Sequence, residues 1–127
     1  MTREIKFRGK AAGEWHYGHL FAYQDANGGT GSHFIIEQSG KEKPKPVQVI
    51  PDTVGQYTGV RDKYGTPIYE GDIVRFHMRD RFVDEPEYQK GTIVFDDGMF
   101  FAKLLKSTHY LCVINYGDYE VIGNQFD

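Results

Sequence analysis

A single cysteine, a single tryptophan and five prolines leave this chain of 127 residues with few ways to cross-link or stiffen itself. Cys112 has no second thiol to pair with, so packing and hydrogen bonds must hold the fold. No run approaches the ~20 apolar residues that a membrane-spanning helix requires. The opening Met-Thr-Arg-Glu lacks the apolar core of a secretory signal, and a soluble, reducing, cytoplasmic setting is the expectation. Apolar spacing at i, i+3, i+4 and i+7 is never sustained over three turns, which excludes long amphipathic helices. Excess positive charge is missing too. At a net charge of −3 the whole molecule favours neither nucleic acid nor an anionic membrane, so any such binding must be local.

What the chain does have is aromatic residues, at 15%, and 15 glycines. That mixture suits short twisted strands joined by tight turns. The expected class is mainly β with little helix. We expect one folding unit over residues 1–127, with an N-terminal antiparallel meander or hairpin over 1–50 and a small antiparallel SH3-like barrel over 51–127. A chain of this length buries roughly two-thirds of its unfolded surface, enough for a core.

The centre of the pattern is Val54 to Phe76. Gln56-Tyr57-Thr58-Gly59-Val60 has strand composition. Asp62 is placed to hydrogen-bond its own backbone two residues on, and Gly65 to take a positive φ. Pro67 cannot donate to a ladder, so Thr66 to Tyr69 reads as a sheet edge or strand start. Glu70-Gly71-Asp72 reads as a second turn, with Gly71 at the corner and Asp72 capping backbone, ahead of the strand beginning Ile73-Val74-Arg75-Phe76. A catalytic or metal role for Asp72 is the minority reading.

From Ile73 onward, Val74, Phe76 and Met78 share one parity and Arg75, His77, Arg79 and Arg81 share the other. On a continued strand those four line up over about 20 Å, a basic stripe on an acidic protein. Either cross-strand carboxylates neutralise it, or it meets an anion such as a nucleic-acid backbone or an acidic protein surface. Asp80 and the run Asp84-Glu85-Pro86-Glu87 are the nearest acids able to fold over it.

Elsewhere, Glu4 to Arg8 alternates Ile5 and Phe7 with Lys6 and Arg8, and the strand Trp15 to Tyr23 puts Trp15, Tyr17, His19 and Phe21 on one side. His16 and His19 then face opposite ways and are poor candidates to share a metal. The glycines of Asp25 to Ser32 lack the lysine and helix of a phosphate loop and read as a hairpin connection into His33 to Gln38. Lys41 to Pro46 reads as an exposed loop, Val47 to Ile50 as strand, and Pro51 to Gly55 as one helical or 3-10 turn. Asp84 to Gly91 reads as a loop. Asp96-Asp97-Gly98 between Thr92-Ile-Val-Phe95 and Met99 to Leu105 is the strongest hairpin signal. Cys112, in the strand His109 to Ile114, reads as a small core residue, and Tyr119 to Ile122 as the last strand.

The stretch Val54-Gly-Gln-Tyr-Thr-Gly, then Asp-Lys-x-Gly, then Ile-Tyr-Glu-Gly-Asp-Ile-Val resembles the signature of the YopX family of phage and prophage proteins. Arg3 to Lys10 and Glu120 to Asn124 resemble that family's two ends. The signature carries over onto Gly55, Gln56, Tyr57, Thr58, Gly59, Asp62, Gly65, Tyr69, Glu70, Gly71 and Asp72, while Tyr64 stands where members often carry Asn. The resemblance implies a mostly β domain from a mobile genetic element, in the host-cell cytoplasm, and implies no particular activity.

The first expectation is therefore a non-enzymatic binding module acting on a host or phage protein through a strand edge, the stripe at Arg75, His77, Arg79 and Arg81, or the loop at Lys41 to Pro46. Exposed edges also favour self-association. The alternative is a single-stranded nucleic-acid-binding β-barrel using aromatics and the same arginines. A small hydrolase ranks last, since no spacing brings an acid–base pair together. No cofactor, metal or catalytic residue is expected.

Overall fold

The computed structural model describes residues 4–24, 26–28, 31–78, 87–104, 110–112 and 119–127; for 77, 78, 87, 88 and 110–112 it describes the backbone alone. The chain divides into two compact units, Met1–Tyr57 and Thr58–Asp127. Among the described residues the registered pairings are antiparallel, and the class is mainly β as expected.

The first unit is a meander of β1 (Phe7–Ala11), β2 (Glu14–Ala22), β3 (His33–Glu37) and β4 (Lys45–Val49), in the order β4-β3-β2-β1. The start of β5 (Gly55–Arg61) adds to the free side of β1, where Phe7 pairs with Gln56 and Arg8 with Gly55. Between β1 and β2 the turn is only Ala12-Gly13, both at positive φ (52° and 79°), the geometry that matches strand twist. The first strand thus runs later than the expected Glu4 to Arg8. Ile35 and Val49 are buried on one face, where Val49 sits so close to Gly9 that a Cβ there would lie 2.7 Å from its Cγ2. The expected turn after Ile50 is a 3-10 turn, Pro51–Thr53, whose Thr53 hydroxyl donates to the Ile50 carbonyl and accepts the Lys10 N–H. Pro46, expected in a loop, lies inside β4, opposite Ile36. β4 ends the strand order, where a missing N–H costs no ladder bond.

The second unit takes the rest of β5, β6 (Pro67–Tyr69), β7 (Asp72–Met78), β8 (Glu87–Asp96), β9 (Met99–Leu104), β10 (Tyr110–Cys112) and β11 (Glu120–Asn124). Five of these form a sheet in the order β10-β9-β8-β7-β11. That sheet is open rather than closed on itself, so the SH3-like barrel detail is met only loosely. Asp97 and Gly98, at φ 49° and 77°, make the expected two-residue hairpin turn between β8 and β9. β8 begins at Glu87, four residues before the end of the loop expected over Asp84 to Gly91, because Met78 to Ile73 supply a pairing partner along its whole start. The core gathers Ile68, Val74, Phe76, Ile93, Ala102, Leu104 and Tyr119, with the Phe76 and Tyr119 rings tilted at 5.1 Å. Each of the larger side chains contributes about 1.5–3 kcal/mol by leaving water. Val74 and Phe76 point inward and Arg75 outward, the alternation expected from Ile73 onward.

Candidate binding faces

The signature stretch is built as an anchor. In the first unit Gly55 and Tyr57 are buried, and the Tyr57 N–H donates to the Lys6 carbonyl, extending the ladder that includes Gln56. In the second unit the Thr58 hydroxyl donates to the Ile68 carbonyl and accepts the Val60 N–H, around Gly59 at φ 85°. Asp62 is the hub. Its Oδ1 accepts the Tyr64 and Thr66 N–H groups at 2.9 and 2.8 Å, its Oδ2 accepts the Val121 N–H at 3.1 Å, and Gly65 turns the chain between them at φ 83°. Burial pushes the Asp62 carboxyl up, but the Val121, Thr66 and Tyr64 donors outweigh that and hold it below its ordinary value of 3.8. Asp72, 2% exposed, accepts the Tyr69 N–H across Glu70 and Gly71. The Gly71 N–H donates to the Ile93 carbonyl, and the Gly71 carbonyl accepts the Gln125 N–H. Both carboxylates thus accept backbone N–H groups.

Of the basic stripe, the structure describes Arg75 in full and His77 by its backbone, opposite Tyr88; Arg79 and Arg81 lie outside the described residues. Arg75 is half-exposed, and its Nη2 donates to Glu120 Oε2 at 2.6 Å on the neighbouring strand. Directly opposite on the other side stands Lys90, and Thr92 beside it stands opposite Lys103. Lys90 and Lys103 are both exposed. The outer face of the five-stranded sheet thus carries Arg75, Lys90 and Lys103 together, with Glu120 at one side. The sequence around Lys90 reads as a loop, and the register that brings Lys103 to this face is not visible in one strand. The lysine-bearing alternation Lys90-Gly-Thr92 was the available signal.

A second basic face lies in the first unit. Register places Lys10 opposite Trp15 and Arg8 opposite Tyr17, so the even positions of β1 share a side with the odd positions of β2. The Arg8 guanidinium lies 4.3 Å and the Lys10 ammonium 5.3 Å from the Trp15 ring centre, and the Lys6 ammonium lies 5.7 Å from that of Tyr17. On the same side a cleft of about 400 Å³ is lined by Glu4, Lys6, Tyr17, His19 and Ile36. Gly18 fits there because a Cβ would lie 2.1 Å from the Ile36 carbonyl oxygen. His16 faces the other way and pairs with Glu37, so this histidine–carboxylate contact does not meet His19 or the cleft. Among the described residues no three His, Cys, Asp or Glu side chains gather as a metal site, and no helix is long and apolar enough to cross a membrane. The side chain of Cys112 lies outside what is described.

The same architecture occurs in a solved structure, that of protein EF1440 from Enterococcus faecalis. It matches with a TM-score of 0.52 over 97% of this chain and 94% of that one, at 21% identity, a likeness of fold alone. No curated protein matches the sequence. The model of the YopX protein family matches residues 6–127, which takes in the Asp62 and Asp72 anchors, both basic faces and every described strand, and the chain belongs to that family.

Proposed function

We propose that the chain is a non-enzymatic binding module, encoded by a phage or other mobile element, that meets an acidic protein surface through the outer face of its five-stranded sheet. One observation carries the reading: Arg75 stands directly opposite Lys90, and Lys103, opposite Thr92, is the diagonal neighbour of Lys90 on the same face. Two of them are exposed lysines. A face of one sign steers an oppositely charged partner and sets its orientation more than it sets affinity. Glu120 takes up part of the Arg75 charge, which leaves the lysines as the main electrostatic contacts.

The test is an interaction screen with the full chain, followed by the triple change Arg75→Glu, Lys90→Glu and Lys103→Glu in any partner found. Affinity is expected to fall at least tenfold, with a weaker dependence on salt. A partner whose affinity ignores the triple change binds elsewhere, and this face is then not the site.

A further inference from the structure

The strands of the first unit separate charge by parity. Lys6, Arg8 and Lys10 alternate with Phe7 and Gly9, and antiparallel register sets them on the side of Trp15, Tyr17, His19 and Phe21. β3 adds Phe34 and Ile36 to that side, opposite Phe21 and His19, and β4 adds Pro46 and Gln48. The strand carboxylates Glu14 and Glu37 stand on the other side, opposite Ala11 and Lys45. The face therefore offers Lys6 and Lys10 beside the rings; Arg8, 5% exposed, is buried against Trp15, and Glu4 is the one carboxylate among the described residues that line the cleft. Its rings are also presented to solvent: Tyr17 is 42% exposed, Phe21 56% and Tyr23 50%. Tyr23 stacks nearly parallel on Phe34, 13° apart at 6.3 Å, and tilts against Phe21 at 6.0 Å.

We propose that this face binds single-stranded nucleic acid. Unpaired bases stack on exposed rings whatever their sequence, while the ammonium groups of the half-buried Lys6 and Lys10 meet the phosphates. Tyr17 and Phe21 lie four residues apart on one strand, about 13 Å, a span that several nucleotides cover. The cleft between Lys6, Tyr17 and Ile36 gives one base a seat. An acidic peptide satisfies the lysines but leaves the rings wet, and a duplex hides its bases; neither uses both halves of the face. Every residue named belongs to the first unit, whereas Lys90 and Lys103 belong to the second.

The experiment is fluorescence anisotropy of the full chain with a labelled oligo-dT of about twelve nucleotides, within the site sizes single-strand binders use. Binding is expected at low salt and should weaken steeply as salt rises. Tyr17→Ala with Phe21→Ala should weaken it about tenfold or more, and Tyr17→Leu with Phe21→Leu, which keeps the apolar surface but removes the π faces, should do the same. Lys6→Gln with Lys10→Gln should lower the salt slope by about one to one and a half. No retention of oligonucleotide by the wild type at low salt overturns the proposal. So does duplex or poly-glutamate binding as tightly as oligo-dT, or a folded leucine variant with wild-type affinity.

Discussion

Asp62 and Val121, 59 residues apart, are joined by one hydrogen bond of 3.1 Å from the Val121 N–H to Asp62 Oδ2. The same carboxylate closes the turn to Thr66, and the Lys63 N–H reaches the Tyr119 carbonyl beside it. A local turn therefore also locks the last strand in place.

Replacing Asp62 by Ala leaves the Tyr64 and Thr66 N–H groups of the turn and the Val121 N–H of β11, all part-buried, without their acceptor. The expected loss is about 2–4 kcal/mol, measured as a lower urea midpoint with an unchanged slope. Asp62→Asn keeps an acceptor oxygen but not the charge and should fall between wild type and Ala.

Acid should find the same residue. Its folded pKa is depressed, so its contribution is fully present above the ordinary carboxylate value of 3.8 and is lost as pH falls through the lower folded value. Thermal melts should show stability declining below about pH 4, with a shallower decline in Asp62→Asn. An equal decline in both would assign the acid sensitivity to other carboxylates.

The β2–β3 pairing requires glycine at position 18, where an added Cβ meets the Ile36 carbonyl at 2.1 Å. Gly18→Ala should cost about 1–3 kcal/mol or displace the strand. Gly123→Ala, where a Cβ meets nothing within 4 Å, should stay within about 0.5 kcal/mol and serves as its control.

At Gly98, φ is 77° and the space around a Cβ is open, so the cost of substitution is backbone strain alone. Gly98→Val should destabilise by about 1–2 kcal/mol, while Asp97→Gly, also at positive φ, should be tolerated.

The Arg75–Glu120 pair is short but part-exposed, at 41% and 24% of side-chain area. A double-mutant cycle should give a coupling below about 1 kcal/mol that shrinks further in added salt. A larger, salt-insensitive coupling would make the pair a structural lock and not a surface contact.

Much of the architecture was legible because it is local. Parity from Ile73 onward, the Asp97-Gly98 turn, the 3-10 turn after Ile50 and the Asp62-to-Gly65 turn all follow from side-chain branching, ring constraint and φ preference within a few residues. Boundaries were harder. Pro46 sits in a strand because β4 is at an edge, and residues 87–91 are strand because β7 lies alongside them, neither of which is a property of those residues themselves.

The sequence alone determined that this is a β protein, where its chain reverses, and which side chains of each strand share a side, since those depend on backbone sterics and a period of two. Only the tertiary structure decided which faces coincide. Register set Lys10 beside Trp15 and Arg75 beside Lys90, and brought the Val121 N–H to Asp62. Such meetings depend on which strands pair and in what alignment, and that is settled by the packing of the whole unit rather than by any single strand.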